Sequence, residues 1–336
     1  MTTMGRSSHR QSGFSLLEMV IAFSILAIVV TAVLQRFVVE NRTYSVTDQV
    51  IEAQQNLRVV AWLLERDARM TGFMVPEAAS LCATDDAAGP DAVWFSDADA
   101  IDPNGQQRNA LGAEVQSGYF SSAANHSLIV DDVVLDGVPF YDTDGDNVAD
   151  ADFADGGGAI LVDLDDPGRG AACGVVTGVS AGRVDVDFET AITPSPSPRL
   201  LLVPAHVYEV DLSGADPVLR RNGRLLATDV EDLQLAFFFD RDGDGVIDDP
   251  GLATGELPGG EGGAPVYDAS AWDNRDLREV RINLVTRTRA DDPTYDEGQV
   301  QTTGNRVAPA GQDGFRRRVH SSTVRVRNVG FRGSAI

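Results

Sequence analysis

The sequence predicts an α+β protein in which one long N-terminal helix packs on an antiparallel β-sheet head. Two observations carry this prediction. No glycine or proline interrupts residues 14–71, so nothing in that stretch breaks a helix. After Cys82 the sequence changes to short runs rich in β-branched and aromatic residues, separated by Gly, Pro, Asp and Asn. No helix-length apolar pattern lies between those runs, which favours an antiparallel sheet.

The first half of the helix predicts a membrane span. Phe14–Leu34 is an apolar run whose single charge is Glu18, and at about 1.5 Å per residue it can cross a hydrocarbon core of roughly 30 Å. Arg6 and Arg10 precede the run, which predicts a cytoplasmic N-terminus and export of everything after Leu34. An ordinary secretory signal would carry a small-residue cleavage site after the run, and no convincing one follows.

Glu18 is the unusual residue of this span. A carboxylate inside an apolar helix is costly in lipid and usually has a partner. The alternative is that Glu18 lies near the headgroups and is solvated there.

The second half of the helix predicts a face that packs on another surface. Its apolar residues recur at steps of three and four and so form one stripe, made of Val46, Val50, Ala53, Leu57, Val60, Ala61, Leu64 and Ala68. A sheet would cover this stripe. A coiled coil is the alternative, which the missing pattern of flanking charges disfavours. Gly72 and Pro76 end the helix.

The remaining residues, 72–336, predict one elaborated β-rich domain. Several segments alternate as half-buried strands do, among them "REVRINLVTRT" and "STVRVRN". The predicted strands are Ala92–Phe95, Ser127–Leu135, Ala159–Leu164, Gly174–Ser180, Arg183–Phe188, Leu200–Leu212, Val218–Arg221, Leu233–Phe239, Arg278–Thr288 and Val319–Asn328. Asn222 and Gly223 predict a turn after the short strand Val218–Arg221. For residues 83–193 the sequence predicts strands but not how those strands are arranged.

The acidity of the chain lies in this domain. Residues 1–71 hold seven arginines and six acidic residues, and the rest holds 20 arginines and 45 acidic residues, a net charge of −25. This balance argues against binding of nucleic acid or anionic lipid. It favours cation binding or an acidic solvated surface.

The two cysteines, Cys82 and Cys173, both fall in the exported part and predict one disulfide. A bridge that closes about 90 residues would stabilise the fold by roughly 4 kcal/mol in the chain-entropy model. The alternative is a pair of buried free thiols.

Two aspartate-rich loops predict calcium binding. Acids at relative positions one, three, five and nine, with a backbone carbonyl at seven, can direct oxygen atoms at one Ca²⁺ ion. The predicted ligands are Asp142, Asp144, Asp146, Val148 and Asp150 in the first loop, and Asp240, Asp242, Asp244, Val246 and Asp248 in the second. Position twelve is Phe153 or Gly251 in place of the EF-hand glutamate, so a structural ion in a helix-free loop is expected. The alternative is a pair of acidic surface turns.

No catalytic constellation is evident in the sequence. The four histidines, at positions 9, 126, 206 and 320, are scattered, and no HExxH, GxSxG, phosphate-loop or CxxC motif is present. Every convincing pair of carboxylates lies in the two aspartate loops. The prediction is therefore a protein that is not an enzyme.

The stretch "GFSLLEMVIAFSIL" resembles the class III signal of type IV prepilins. The resemblance implies that a prepilin peptidase removes a leader of residues 1–13 by cutting after Gly13 on the cytoplasmic side. Phe14 would become the N-methylated first residue, and residues 14–38 the transmembrane and assembly half of the helix. Glu18 would serve assembly, because its carboxylate can neutralise the new amine when that amine is buried among apolar helices.

Later segments resemble the PilW-type minor pilins, which are related to the J-type minor pseudopilins of type II secretion. They are "LLERDARMTGF", "VYEVDLSGADPVLRRNGRLLATDVEDLQLAFFFD", "REVRINLVTRTR" and "RRVHSSTVRVRNVGF". The resemblance implies a pilin-like fold and a subunit that primes or caps a type IV pilus. A pseudopilin of a type II secretion system and a membrane-tethered calcium-dependent adhesin are the alternatives.

This resemblance also implies location and partners. The chain would be a single-pass inner-membrane precursor that moves into a periplasmic or cell-surface pilus. Its expected partners are the prepilin peptidase and other minor and major pilins, with a tip adhesin as a further candidate. No nucleic-acid partner is expected.

Overall fold

The structure, a computed structural model, separates the chain into two compact units, Met1–Gln49 and Val50–Ile336. It describes residues 15–86, 88–97, 100, 112–115, 125–130, 153–166, 170–180, 182–190, 199–240, 247, 274–292, 294–295, 298, 306 and 311–329. The boundary between the units falls inside the helix, because the side chains that precede it are mostly exposed and those that follow pack on the head.

Helix α1 runs from Leu16 to Met70, as the breaker-free sequence predicts. Its buried residues are Ala53, Leu57, Val60, Ala61, Leu64, Asp67 and Ala68. The predicted stripe is therefore confirmed from Ala53 to Ala68 with one carboxylate added, whereas Val46 and Val50 are only half-buried. The chain then turns at Gly72, whose φ of 80° lies in the left-handed region. A side chain at Gly72 would also meet Val329, since an added Cβ would lie 2.5 Å from its Cγ2 atom.

A large antiparallel sheet forms most of the head. Ten strands belong to it in the described part of the chain: β1 (Leu81–Thr84), β2 (Ala92–Phe95), β3 (Ala113–Glu114), β4 (Asn125–Ile129), β5 (Gly158–Asp163), β6 (Ala171–Ser180), β7 (Arg183–Phe188), β8 (Leu200–Asp211), β9 (Val218–Arg221) and β10 (Arg224–Thr228). The main path is β1-β2-β8-β5-β6-β7-β4. Strands β3 and β9 also pair with β8, and β10 extends β9.

Strand β8 holds this sheet together. Near its start Leu202 pairs with β5 and with β3, and near its end Tyr208 pairs with Val93 of β2 and with Arg221 of β9. Because β8 has neighbours on both sides, nine of its twelve residues are buried.

A second, three-stranded antiparallel sheet has the order β11-β12-β13, with β11 at Val230–Phe239, β12 at Leu277–Arg287 and β13 at Arg317–Arg325. Leu235 of β11 lies opposite Ile282 of β12, which lies opposite Ser322 of β13. Short 3-10 helices occupy Glu77–Ala79 and Asn274–Asp276. The long helix and the antiparallel sheets confirm the predicted α+β class.

The predicted strands agree closely with those observed. Ala92–Phe95, Arg183–Phe188 and Val218–Arg221 match at both ends, and the other described strands differ by a few residues at their ends. Residues 131–135 of the predicted strand Ser127–Leu135 lie outside the described residues. Strands β1, β3 and β10 were not predicted from the sequence.

The core joins the helix to both sheets. Its largest fully buried side chains include Leu64 of α1, Trp94 and Phe95 of β2, Tyr208 of β8 and Phe237 of β11. These side chains belong to a single hydrophobic cluster. The hydroxyl group of Tyr208 is also buried there and needs a polar partner. That partner is supplied by the helix.

Candidate functional site

The N-terminal end of α1 carries the predicted processing and assembly residues. Gly13 and Phe14 lie outside the described residues, which begin at Ser15. Glu18 lies in the first turn of the helix, and its Oε2 atom accepts a hydrogen bond from the Ser15 backbone N–H at 2.9 Å. The carboxylate is therefore turned back toward the N-terminus, where the helix dipole also favours negative charge.

The apolar segment that follows is exposed to its surroundings. Leu16, Phe23, Ile28 and other large side chains as far as Val39 are more than 40% exposed, and no residue of the segment belongs to the core. Its hydroxyl groups are satisfied within the helix, since Ser24 donates to the Val20 carbonyl and Thr31 to that of Ala27, both at 2.8 Å. In the described part of the chain, α1 is the one helix long and apolar enough to cross a membrane.

A buried polar anchor ties the other end of α1 to the head. Tyr208 and Arg221 lie directly opposite each other on β8 and β9, so their side chains share one face of the sheet. Asp67 of α1 lies against them and is 2% exposed. Its Oδ2 atom accepts from the Tyr208 hydroxyl at 2.6 Å and from Arg221 Nε and Nη2 at 3.1 and 2.8 Å.

The anchor also contains a direct bond between the two strands, because Arg221 Nε donates to the Tyr208 hydroxyl oxygen at 2.8 Å. Burial and the charge of Asp67 raise the pKa of Tyr208, so its hydroxyl keeps the proton that it donates. Burial alone would lower the pKa of Arg221, but Tyr208 and Asp67 raise it above its ordinary value. Asp67 and Arg221 thus form an ion pair, and the neutral Tyr208 hydroxyl donates a hydrogen bond to the same carboxylate.

This anchor was not predicted from the sequence, although the sequence contains one signal for it. Asp67 occurs between Leu64 and Ala68, on the apolar stripe itself, where a charged side chain requires a partner.

A second buried carboxylate, Asp91, links the segment before β2 to the second sheet. Its Oδ2 atom accepts from the Leu235 backbone N–H at 2.8 Å, and its Oδ1 atom accepts from the Asp86 N–H at 3.1 Å. Burial raises the pKa of Asp91 to about 8, the two N–H donors oppose this shift, and Asp85 and Asp232 add to it. Asp91 therefore keeps a proton near neutral pH.

Cys82 and Cys173 form the predicted disulfide. It connects β1 to β6, with the two Cα atoms 6.0 Å apart, and both residues are fully buried. Thr190 Oγ1 accepts the Cys173 N–H at 2.9 Å, and Trp94 donates its indole N–H to the Gly174 carbonyl at 2.8 Å. The disulfide thus joins two strands that are not neighbours in the sheet.

Most of the predicted calcium ligands fall outside the described residues. This holds for all of the first loop, Asp142, Asp144, Asp146, Val148 and Asp150, and in the second loop for Asp242, Asp244, Val246 and Asp248. In the described part of the chain, no group of three or more His, Cys, Asp or Glu side chains is arranged to hold a metal. The two calcium sites stay predictions.

Asp240, the first predicted ligand of the second loop, is described and buried at the end of β11. Its Oδ2 atom accepts from Arg278 Nε at 3.0 Å, and its backbone N–H donates to the Asp276 carbonyl at 2.7 Å. A calcium ion at this loop would have to share the carboxylate with the guanidinium.

The described histidines lie on three different strands, β4, β8 and β13. His126 packs its ring near Phe188, the Nδ1 atom of His206 lies 3.1 Å from the Asn222 amide nitrogen, and His320 Nε2 lies 3.3 Å from Glu65 Oε1. Each of these contacts belongs to a different element of the head.

Two family models match the chain. The model described as type IV pilus-assembly protein W matches residues 217–328, which include β9–β13, and the prokaryotic N-terminal methylation motif matches residues 8–34, which include Gly13, Phe14 and Glu18. Both resemblances drawn from the sequence are confirmed, and neither match is to a family of enzymes. No curated protein and no solved structure matches the chain.

Proposed function

We propose that this chain is a type IV pilin-like minor pilin that primes or caps a pilus after processing at Gly13 and methylation of Phe14. The position of the Glu18 carboxylate, turned back to the Ser15 N–H, supports this proposal most directly. Cleavage after Gly13 would create an amine one residue before Ser15, within reach of that carboxylate.

Glu18 neutralises this amine in the assembled filament. An unpaired cation among apolar helices is strongly unfavourable, and a carboxylate at the same depth removes most of the cost. The pair forms either within one subunit or with the amine of a neighbouring subunit. The exposed apolar residues from Leu16 onward provide the helix surface on which neighbours pack.

The experiment replaces the native gene and compares Glu18→Ala with Glu40→Ala, since Glu40 is a second exposed acid on the same helix. Sheared surface pili are collected and probed for the subunit. We expect normal cleavage in both variants but loss of the Glu18→Ala subunit from pili, with the Glu40→Ala subunit at the wild-type level. Normal incorporation of Glu18→Ala would refute the role of this carboxylate.

The location of the subunit separates the pilus from its alternatives. A minor pilin is recovered in sheared pili, whereas a J-type pseudopilin of a secretion system stays with the cell envelope and its loss blocks secretion. A tethered adhesin would keep residues 1–13. The partners that this function requires are a prepilin peptidase and other pilins.

Calcium has a structural role in this proposal. Four carboxylates drawn into one turn repel each other unless a cation neutralises them, and oxygen ligands suit Ca²⁺. The test is calorimetric titration of the purified full chain with Ca²⁺ at up to millimolar concentration. Absence of binding heat in that range would reject both sites.

A further inference from the structure

Strand β13 is an uncovered edge of the second sheet. It pairs with β12 from Arg317 to Arg325 without a register shift, and no other strand in the described part of the chain pairs with it. The opposite edge, β11, is covered: the Asp91 N–H donates to the Leu233 carbonyl, and Asp91 Oδ2 accepts from the Leu235 N–H, both at 2.8 Å. Sheets usually protect an edge with a proline, a bulge or a covering segment, and among the described residues β13 has none of these.

The hydrogen-bond pattern of β12 and β13 shows which groups face outward. Opposite residues of an antiparallel pair alternate between pairs that exchange two backbone hydrogen bonds and pairs that exchange none. At one end of the ladder the Thr288 N–H donates to the Arg316 carbonyl at 2.9 Å. At the other end the Val326 N–H donates to the Arg278 carbonyl at 2.8 Å. The even-numbered residues of β13 therefore bond to β12, and the odd-numbered residues direct their N–H and C=O groups away from it.

These outward groups face solvent. The carbonyl of Arg317 accepts from the Arg318 side chain at 3.1 Å, but none of the remaining outward groups bonds to another residue of the described chain. We call these remaining groups the free edge of β13; they belong to four exposed residues, Val319, Ser321, Thr323 and Arg325. An extended peptide presents N–H and C=O groups at the same two-residue period, so it can replace the water that solvates this edge.

The other side of β13 is fixed to the head. Val324 belongs to the core and is 1% exposed, and His320 Nε2 lies 3.3 Å from Glu65 Oε1 of α1. The free edge is therefore ordered before anything binds to it, which lowers the entropic cost of binding.

Charge indicates the composition of the partner. Arg318 and Arg325 lie at the two ends of the free edge, both are exposed, and neither belongs to an ion pair in the described part of the chain. In contrast, the neighbouring Arg317 binds Glu231 and Asp313, each at 2.6 Å. Residues 72–336 carry a net charge of −25, so two uncompensated cations on one strand are a local reversal of charge. Opposite charges on adjacent strands stabilise their pairing.

We propose that the free edge of β13 binds an extended strand of a second protein, with acidic residues seven positions apart that pair with Arg318 and Arg325. A second copy of this chain is a poorer occupant, because antiparallel pairing of two β13 strands centred on Ser321 would set Arg317 of one copy opposite Arg325 of the other. Nucleic acid is also a poorer occupant, because the acidic head repels it. Binding at this edge requires no assembled filament and so goes beyond the proposed function.

The test is hydrogen exchange of the full chain in detergent, measured by mass spectrometry with and without about 1 mM of the peptide Glu-Thr-Val-Thr-Val-Thr-Val-Glu. Its two glutamates are seven positions apart. We expect the amides of β13 to exchange at least about threefold more slowly with the peptide, which corresponds to a Kd of about 0.5 mM or lower. Strands β4 and β10, which are edges of the other sheet, should be unaffected.

Two control peptides separate strand pairing from charge. One has lysine in place of both glutamates, and we expect it to give no protection. The other keeps the glutamates but is N-methylated at every Thr and Val, so that it cannot donate the backbone hydrogen bonds of a strand. It should also give no protection, and protection equal to that of the unmodified peptide would overturn strand pairing.

Matched variants of the chain test the same two contributions. Ser321→Pro removes an outward N–H and should abolish the protection, whereas Ser321→Ala keeps this N–H and should preserve it. The double variant Arg318→Glu/Arg325→Glu should lose protection by the glutamate peptide and gain it from the lysine peptide. Arg224→Glu, a change at an exposed arginine of β10, should alter neither result.

Three results would overturn the proposal. The first is unchanged exchange of β13 in the presence of the glutamate peptide, which would leave Arg318 and Arg325 as charges that only keep the edge soluble. The second is undiminished protection of a Ser321→Pro chain whose melting temperature matches that of Ser321→Ala. The third is equal protection by the glutamate and lysine peptides, which would exclude an acidic partner.

Discussion

Removal of the Asp67 carboxylate should destabilise the head far more than removal of an exposed charge. In Asp67→Ala the Tyr208 hydroxyl loses its acceptor, and Arg221 loses the anion that compensates its partial burial. Breaking a buried ion pair typically costs about 3–5 kcal/mol. The Arg221 side chain is 23% exposed and can regain some water, so we expect the lower end, about 3 kcal/mol.

Removal of the Arg221 guanidinium should cost more free energy of unfolding than removal of the Asp67 carboxylate. Arg221→Met leaves a carboxylate that is 2% exposed with only Arg66 as its cation, at a longer distance of 3.9 Å from a side chain that is 45% exposed, and we expect about 4 kcal/mol. The triple variant Asp67→Leu/Tyr208→Phe/Arg221→Met removes every polar group of the anchor and replaces it with apolar volume. It should therefore recover to within about 1 kcal/mol of the wild type.

The assay is urea denaturation of the full chain in detergent, followed by the fluorescence of its tryptophans, among which Trp94 is fully buried. Arg220→Met is the control, because Arg220 and its partner Asp211 are 35% and 28% exposed, and their water-accessible pair should contribute less than about 1 kcal/mol. The reasoning would be refuted by a cost of Asp67→Ala no larger than that of the control. A triple variant as unstable as Asp67→Ala would refute it equally.

Three further predictions follow from the head. The pKa of Asp91 is raised from 3.8 to about 8 in the fold, so its protonation contributes stability that is complete below pH 4 and is lost as the pH rises through 8. Between pH 5 and 9 the free energy of unfolding should fall by up to about 4 kcal/mol more in the wild type than in Asp91→Asn, because about three pH units of that range lie below the folded pKa; equal slopes in urea titrations would contradict this. Reduction of the disulfide, or Cys82→Ala/Cys173→Ala, should lower the free energy of unfolding by roughly 4 kcal/mol, and unchanged urea midpoints would exclude that contribution. Asp242→Ala/Asp244→Ala should abolish the calorimetric calcium signal of the second loop while that of the first loop persists, and two undiminished signals would contradict the ligand assignment.

The helix and the alternating strands could be predicted from local sequence. Residues 14–71 lack a breaker, and Gly72 ends the helix because its backbone adopts a positive φ. Arg183–Phe188 alternates strictly between exposed or half-buried and buried residues, which is the pattern that identifies a strand. Strand β1 was missed because it is short and mostly buried on both faces. Strand β10 was missed because it is short and its apolar residues are adjacent, so they do not alternate with polar ones.

The partners of Asp67 in the anchor could not be predicted from the sequence, because they are distant along the chain. Asp67 is 141 residues from Tyr208 and 154 residues from Arg221, and the register of β8 against β9 brings those two together. The stripe of α1 could reveal that Asp67 is buried, but not which cation meets it. The disulfide was easier to predict, since two cysteines allow one intramolecular pairing.

The central claim is that this chain is a prepilin whose maturation creates the amine that Glu18 meets. Mass spectrometry of the N-terminal peptide of the protein isolated from its native membrane tests the claim directly. The account predicts that residues 1–13 are absent and that the mature chain begins with N-methylated Phe14. A chain that retains residues 1–13, or that begins at another residue, would contradict it.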